Sequence, residues 1–423
     1  MRVEPFAALR YDPRRAGPWE ELVAPPYDQI GEGLRDELLH IGPYNVVQLT
    51  LGADLPGDGA GENRYLRAGR LLQAWRSGGI LVRDPRAALY PYRVERPGAP
   101  PMSGFIGLGE LADYEEGQVL PHEATLEAPK QDRLELLRAT ASDLEPILVL
   151  FSDPGAAARK LLQQAPAPTV AELTAPDGWH HRLAYLDDPG LVLQLQELLR
   201  DQPVVIADGH HRYEVALEYR DERAAATGAP GPAGFKMMLF VAASDPGLEL
   251  LPIHRLLRRL TVPPHLLKAR LESFFDLRPV GAPELLAVEL AEPTPAPRFG
   301  LALEAELLRL DLKPGLEQAL PWPPHAGSTE RGVEVVLFTH LVLGHLLGIG
   351  EAELAAGGLV EYTHSWTEAI ESIRSMRHAA AFFLRPLPAE TFWEAVREGV
   401  VLPRKSTHFR PKPLSGLTFA ELA

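Results

Sequence analysis

Short apolar runs and amphipathic stretches alternate along the chain. Runs rich in β-branched or aromatic residues predict strands at 46–51, 89–94, 146–151, 203–207 and 236–241. Apolar positions at helical spacing predict helices at 64–76, 133–140, 191–200, 363–383 and 389–398. Because the two element types alternate without a strict βαβ rhythm, we expect an α/β (mixed α+β) fold in which helices flank mixed sheets.

Segments rich in proline and glycine predict loops at 97–101, 229–232 and 293–297. The last of them separates a main α/β region, 1–292, from a smaller C-terminal α/β region, 298–423. The most apolar stretch, 335–349, contains two histidines and is shorter than the ~20 residues that a membrane span needs. We therefore predict a core helix there and no membrane association.

Acidic residues outnumber basic ones, and the formal net charge is −15. Binding to nucleic acid or to an anionic membrane requires a basic face, so the charge argues against both partners. The chain contains no cysteine, which excludes disulfides, thiolate metal sites and a cysteine nucleophile. Residues 1–6 lack the apolar region of a secretory signal, and we expect a cytoplasmic protein.

The segment 204–219 concentrates polar chemistry at a predicted change from strand to helix. An apolar strand pattern ends at Asp208-Gly209, and apolar positions at helical spacing follow. The helix is predicted to begin near His210 to Arg212, where backbone N–H groups and the helix dipole favour an anion. The alternative is an ordinary turn and helix cap.

Each polar residue of this turn has a candidate role. Gly209 lets the backbone approach a ligand closely, Arg212 can fork onto phosphate oxygens, and His211 can donate a hydrogen bond or a proton. Asp208 can hold a metal ion, orient a histidine or act as a base, and His210 is a second catalytic candidate. These roles predict a phosphate-binding site.

The same turn resembles the signature of the ParB/sulfiredoxin-like superfamily, in which a Gly-x-x-Arg turn at a helix start binds nucleotide phosphates. Gly209, Arg212 and Ala216 match that pattern, which implies a ParB/sulfiredoxin-like core element. Sulfiredoxins have a cysteine where this chain has His210, so sulfinic-acid repair is excluded. The acidic charge argues against the DNA-binding members. The remaining similar branch is the free serine kinases, which phosphorylate a small amino acid.

A second resemblance spans most of the chain. Its motifs occur in the order found in the bacterial and archaeal family known as domain of unknown function 1015, which implies membership of that family without an established activity. The motifs are Ala24-Pro25-Pro26-Tyr27-Asp28, Pro121-His122-Glu123 with Thr125, residues 207–213, Leu251-Pro252 with His254-Arg255, and residues 402–412.

The segment 121–133 offers further candidates. His122 and Glu123 can serve as a general base, and we expect Glu123 to take the proton of an acceptor hydroxyl. Lys130 and Arg133 can contact an anion. The alternative is a capped helix start with a solvated charged face.

Two other segments carry candidate side chains. Residues 404–412 form the most basic stretch, and Lys405, Ser406 and Thr407 predict a phosphate-binding loop or a lid, against a solvated basic tail. The stiff proline segment near residue 25 can present Tyr27 and Asp28 in a pocket wall, or can be a structural edge.

Together these features predict a phosphotransferase that acts on small molecules. The expected donor is a nucleoside phosphate or pyrophosphate, with Mg²⁺ on Asp208, and the expected acceptor is a small hydroxylated metabolite such as serine. Two alternatives stay open. One is a non-catalytic nucleotide-binding regulatory protein. The other is a phosphate-ester hydrolase that uses His210 and Asp208.

Overall fold

The computed structural model describes residues 1–304, 306–316, 320, 322 and 327–422. Its strands are β1 (Val3–Glu4), β2 (Leu9–Tyr11), β3 (Leu81–Arg83), β4 (Tyr90–Glu95), β5 (Met102–Glu110), β6 (Val119–Leu120), β7 (Ser142–Asp143), β8 (Ile147–Phe151), β9 (Thr169–Thr174), β10 (His180–Ala184), β11 (Val204–Asp208), β12 (Phe235–Ala242), β13 (Glu249–Leu251), β14 (His254–Leu257), β15 (Phe275–Pro279), β16 (Arg298–Leu303), β17 (Glu306–Leu312), β18 (Val360–Thr363), β19 (Ala380–Phe383), β20 (His408–Arg410) and β21 (Ala420–Glu421).

The α-helices are α1 (Pro13–Ala16), α2 (Trp19–Leu22), α3 (Glu32–Ile41), α4 (Val47–Thr50), α5 (Arg64–Ser77), α6 (Glu127–Thr140), α7 (Ala157–Gln164), α8 (Pro189–Leu199), α9 (His210–Thr227), α10 (Pro264–Glu272), α11 (Pro283–Ala291), α12 (Ser328–Gly332), α13 (Glu334–Leu337), α14 (Glu351–Ala356), α15 (Trp366–Arg374) and α16 (Ala389–Arg397). Short 3-10 helices cover Tyr27–Gln29, Tyr114–Glu116 and Gly231–Gly234, and a π-helix covers Phe338–Leu346.

The chain divides into two compact units. Unit 1 comprises Met1–Pro121, Thr125–Glu249 and Pro411–Ala423, and unit 2 comprises His122–Ala124 and Leu250–Arg410. The proline-rich segment 293–297 therefore lies inside unit 2. The predicted division into regions 1–292 and 298–423 stays a prediction about domains.

Unit 1 is built on a mixed sheet. Its strand order is β6-β11-β8-β12-β5-β4-β10-β9, with β1 beside β5. β11 runs parallel to β6 and antiparallel to β8, while β12 runs parallel to β8 and antiparallel to β5. One face packs on α8 and α9 through a core that includes Ile147, Ile206 and Tyr213. The expectation of mixed sheets flanked by helices is confirmed.

Unit 2 has a sheet of its own, in the order β15-β17-β16-β19-β14-β18. The described strand pairs of this sheet are antiparallel. α11 and α15 pack on it through Leu286, Leu290 and Ile370. Strand β14 therefore lies in the interior of this sheet, where its side chains are buried on both faces.

Two predicted elements are wrong. Residues 46–51 form the helical turn α4 rather than a strand, because the Asn45 carboxamide accepts a hydrogen bond from Val47 N at 3.0 Å and donates to Glu21 O at 2.9 Å. The predicted helix 363–383 is helical only over α15, and its last four residues form the buried strand β19. Tertiary contacts override local propensity in both places.

The other predicted elements are present with shifted ends. Helix α6 begins at Glu127, six residues before the predicted start, and accommodates Pro129 in its first turn. The apolar stretch 335–349 is helical and buried, as α13 and the following π-helix. Within the described part of the chain, no helix combines the length and the apolar character that crossing a bilayer requires.

Candidate functional site

The predicted strand-turn-helix segment is present in unit 1. β11 ends at Asp208, Gly209 has φ 103°, and α9 begins at His210. A Cβ atom on Gly209 would lie 2.5 Å from Ile147 Cγ2, so both the backbone conformation and the space require glycine here. The absent side chain leaves room for Ile147 and for the Arg212 guanidinium, and the turn is held against β8.

Asp208 is the centre of a buried charge cluster. Its Oδ2 accepts a hydrogen bond from Arg212 Nη2 at 2.7 Å, and its Oδ1 lies 2.5 Å from Lys412 Nζ. The Lys412 ammonium also lies 3.2 Å from Asp28 Oδ2. Three sequence motifs that lie far apart in the chain therefore meet within unit 1, at the start of α9. We call Asp28, Asp208, Arg212 and Lys412 the Asp208 cluster.

Lys412 is held as a cation by its two carboxylate partners. Burial of its side chain, of which 9% is exposed, lowers the pKa of the ammonium. The charges of Asp208 and Asp28 raise that pKa by more, and the net pKa is above its ordinary value. The ammonium is therefore charged at neutral pH.

Arg212 contacts the protein with both terminal nitrogens. Nη1 donates to Pro146 O at 2.9 Å, and Nη2 donates to Asp208. Its Nε is buried without a hydrogen-bond partner among the described residues. Burial lowers the Arg212 pKa, but Asp208 and Glu145 raise it above the ordinary value. In this structure Arg212 orients the Asp208 carboxylate, and its predicted contact with phosphate stays a prediction.

The two histidines occupy the first turn of α9. Nε2 of His211 accepts a hydrogen bond from Leu126 N at 2.9 Å, so the neutral ring carries its proton on Nδ1. His210 is buried at the first helical position, which no side chain caps within the described chain. The predicted role of His211 as a donor to a ligand stays a prediction.

Lys130 and Arg133 lie on α6, which packs against α9. Lys130 Nζ is paired with Glu127 at 2.6 Å and with Glu214 at 3.2 Å, and these carboxylates raise its pKa. The Arg133 guanidinium pairs with Asp132 at 2.5 Å. Both predicted anion contacts are therefore engaged with carboxylates of unit 1.

Tyr27 connects Arg133 to the Asp208 cluster. The Arg133 guanidinium lies 4.3 Å from the centre of the Tyr27 ring, and that of Arg212 lies 5.9 Å from it. Burial raises the pKa of Tyr27 to about 12, so the phenol is neutral. Glu145 accepts from Tyr27 N at 3.2 Å and from Ser415 Oγ at 2.6 Å. These contacts fix the segment that presents Asp28.

The other predicted site residues belong to unit 2. His122 is fully buried, its Nε2 lies 2.7 Å from Thr407 Oγ1, and its ring packs edge-on against Phe392 at 5.0 Å. Glu123 pairs through its backbone with Leu402. The contacts of His122 with Phe392 and Thr407 therefore attach the 122–124 segment to α16 and to the loop that follows it.

Lys405 and Ser406 shape the same loop. Lys405 has φ 59°, and its carbonyl oxygen accepts from Arg255 Nη2 at 3.1 Å. The Ser406 hydroxyl donates to the Pro403 carbonyl oxygen. The structure brings Glu123 and Lys405–Thr407 together in unit 2, and Asp208–Arg212, Lys130 and Arg133 together in unit 1.

Two residues outside the predicted site set, Asp28 and Lys412, complete the Asp208 cluster. Both stand in the quoted motifs, and Lys412 is one of only 7 lysines beside 35 arginines. Across the described ranges, no group of three or more His, Asp or Glu side chains is arranged to hold a metal ion. Mg²⁺ usually needs only one or two protein carboxylates together with substrate phosphates, and the predicted role of Asp208 as a magnesium ligand stays a prediction.

The fold and this cluster define an α/β protein with a charged strand-to-helix turn. The sequence model of the family described as "Protein of unknown function (DUF1015)" matches residues 3–333. The chain belongs to this family, which confirms the resemblance found from its motifs. No curated protein sequence matches the chain.

Several solved structures are similar in chain path. A conserved hypothetical protein from Pyrococcus furiosus is 13% identical, with 72% of this chain and 93% of that chain covered and a TM-score of 0.36. A free serine kinase in complex with AMP is 14% identical, with 70% and 84% covered and a TM-score of 0.35. SbnI from Staphylococcus aureus, truncated at its C-terminus, is 13% identical, with 73% and 85% covered and a TM-score of 0.34. None of these values is high enough to transfer a function to this chain.

Proposed function

We propose that the protein is a small-molecule phosphotransferase whose donor phosphates bind at the start of α9. The observation that carries the proposal is the double contact of Lys412 Nζ, 2.5 Å from Asp208 and 3.2 Å from Asp28. A buried lysine between two carboxylates beside a helix start combines a cation for phosphate oxygens with groups suited to proton transfer or to Mg²⁺.

The donor is held by positive charge. The N-terminal end of α9 carries the positive end of the helix dipole, and the ammonium of Lys412 stands next to it. A nucleoside phosphate or pyrophosphate suits these groups, because its phosphate charge needs several donors in a site with little water.

The carboxylates serve the acceptor side of the reaction. Asp208 is held in one orientation by Arg212, while Asp28 is attached to the segment fixed by Glu145. One of these two carboxylates accepts the proton of the acceptor hydroxyl, and both would hold Mg²⁺ that arrives with the donor, in exchange for part of their present contact with Lys412. Mg²⁺ neutralises charge on the phosphates when it is bound. The resemblance of the turn to that of the free serine kinases favours serine as the acceptor.

The proposal is tested by thermal unfolding of the full chain with ATP, ADP, CTP or pyrophosphate, each with and without Mg²⁺. A ligand at about 100 times its dissociation constant adds about 2.7 kcal/mol to the free energy of unfolding. Incubation of the stabilising donor with serine, followed by phosphorus NMR, then detects transfer. Asp28→Asn should reduce transfer, because it removes one of the two carboxylates, whereas Asp221→Asn, which changes an exposed carboxylate on α9, should preserve it.

The outcomes separate the alternatives. Stabilisation with transfer to an added hydroxyl compound supports the phosphotransferase. Stabilisation without turnover identifies a nucleotide-binding regulatory protein, and release of phosphate without an acceptor identifies a hydrolase. If no phosphate compound stabilises the protein, the proposed site does not exist.

A further inference from the structure

Unit 2 contains a cavity that the Asp208 cluster does not explain. Its volume is about 630 Å³, which is in the range of small-molecule sites. The motif around Arg255 and the loop at Ser406, separate in sequence, both contribute to its lining. The remaining wall comes from three short segments, at 295–297, 328–335 and 384–391.

Arg255 places a buried positive charge at this cavity. The residue is 1% exposed and lies on the interior strand β14. Nη2 donates to Lys405 O at 3.1 Å, Nη1 contacts Ile253 O, and Nε is buried without a partner in the described part of the chain. Within the described ranges, no carboxylate oxygen lies within ion-pair distance of this guanidinium. The negative charge of Glu123 raises the pKa of the guanidinium from beyond that distance, and the carbonyl dipoles add to it without neutralising the charge.

The surroundings of Arg255 also disfavour its charge. Burial lowers the pKa of the guanidinium to about 10. The rings of Tyr362 and Phe338, 5.6 Å and 6.0 Å from its central carbon, compensate only weakly at these distances. A buried charge of this kind is stabilised most by a counter-ion, and the cavity is the space in which a counter-ion fits.

The cavity wall contains more positive than negative side chains. Arg385 is paired with Glu334, at 3.0 Å through Nε. Arg331, also in the wall, has no ion pair among the described residues, so the wall carries an excess of positive charge. Leucine, valine and proline side chains line the remaining surface: Val335, Leu384, Leu387, Pro295, Pro297, Pro386 and Pro388.

We infer that this cavity binds a small organic anion, whose oxyanion is received by Arg255 and Arg331 and whose nonpolar part packs on the proline and leucine wall. Guanidinium groups bind carboxylate and phosphate oxygens through the same paired N–H geometry, so the shared chemistry is that of an oxyanion. None of the cavity residues belongs to the Asp208 cluster.

The test uses three probes with one ring and different head groups. Benzoate carries a carboxylate, phenyl phosphate carries a phosphate, and benzamide is the neutral control. Binding to the full chain is measured by isothermal titration and by saturation-transfer NMR. At least one of the two anions should bind about tenfold more tightly than benzamide, since a charged hydrogen bond contributes this much. The stronger anion identifies the head group.

Variants locate the binding. Arg331→Ala should weaken the anion about tenfold, whereas Arg258→Ala, which removes an exposed arginine of unit 2 outside the cavity, should leave its affinity unchanged. Arg255→Lys keeps the buried charge but removes the paired N–H geometry, so it should also weaken the anion. Arg331→Ala keeps the test valid if the Arg255 variant fails to fold. Asp208→Asn should not affect anion binding, so a failure of the phosphate site proposed in unit 1 is distinguishable from a failure of this inference. Any of three results would overturn the inference: benzamide binds as tightly as the anions, the Arg331 and Arg258 variants have equal effects, or neither anion binds.

Discussion

Replacing Asp208 by asparagine removes the carboxylate that two buried cations share. The exposed fractions of the side chains are 11% for Asp208, 6% for Arg212 and 9% for Lys412. Removing one partner of a buried ion pair costs about 3–5 kcal/mol, because the other charge stays buried. Lys412 keeps Asp28, and Arg212 keeps the Pro146 carbonyl. We therefore expect a loss near the lower end, about 3 kcal/mol.

The assay is urea unfolding of the full chain, followed by tryptophan fluorescence. Asp221→Asn is the matched control, because Asp221 lies on the same helix and is 67% exposed in its pair with Arg220. An exposed pair contributes about 0–1 kcal/mol, so this variant should lose less than about 1 kcal/mol.

A double variant sharpens the test. If Asp208 is the shared counter-ion, the double variant Asp208→Asn/Lys412→Met should lose less stability than the sum of the two single variants. The reason is that Lys412→Met removes a cation that Asp208→Asn leaves without one of its two carboxylates. A loss for Asp208→Asn that equals the loss for the Asp221 control would refute the reasoning.

Two other predictions concern backbone strain and pH. Gly209→Ala should destabilise the protein by about 2–5 kcal/mol in urea unfolding, because of left-handed backbone strain and a clash with Ile147. Gly228 has φ 84° and no neighbour within 4 Å, so Gly228→Ala should cost only the strain, about 1–2 kcal/mol. Equal losses for the two variants would contradict the clash. Burial lowers the pKa of His181, which contacts Tyr92, to about 4 from an unfolded value of 6.5. Between these pH values the unfolded chain binds the additional proton, so this histidine reduces stability as pH falls from 6.5 to 4. In His181→Gln, the free energy of unfolding should therefore depend less steeply on pH across that window. An unchanged pH dependence would contradict the lowered pKa of His181.

The strand-turn-helix at 204–219 was predictable because its signals are local. Four buried apolar residues end at an Asp-Gly pair, and apolar positions at helical spacing follow directly. The same local reasoning failed at 46–51. There the Asn45 side chain accepts a hydrogen bond from Val47 N at the start of a helical turn and donates another to the carbonyl oxygen of Glu21, which lies in an earlier segment. Periodicity alone does not report such contacts.

The composition of the Asp208 cluster could be predicted only in part. Asp208 and Arg212 are four residues apart, and a helix start places them together. Lys412 follows Asp208 by about 200 residues and Asp28 precedes it by 180, so their contact depends on the fold of unit 1 as a whole. The motifs near residues 25 and 410 indicated that these segments matter, but not which side chains meet.

The central claim is that Lys412 and the start of α9 bind the phosphates of a donor. It is tested most directly by the dissociation constants of ADP and pyrophosphate, with Mg²⁺, for the wild-type chain, Lys412→Met and Lys160→Met, in which an exposed lysine of unit 1 is replaced. We predict that Lys412→Met weakens the bound ligand about tenfold or more, from loss of a charged contact, while Lys160→Met does not change it. Equal affinities for all three proteins, or no binding by the wild type, would contradict the claim.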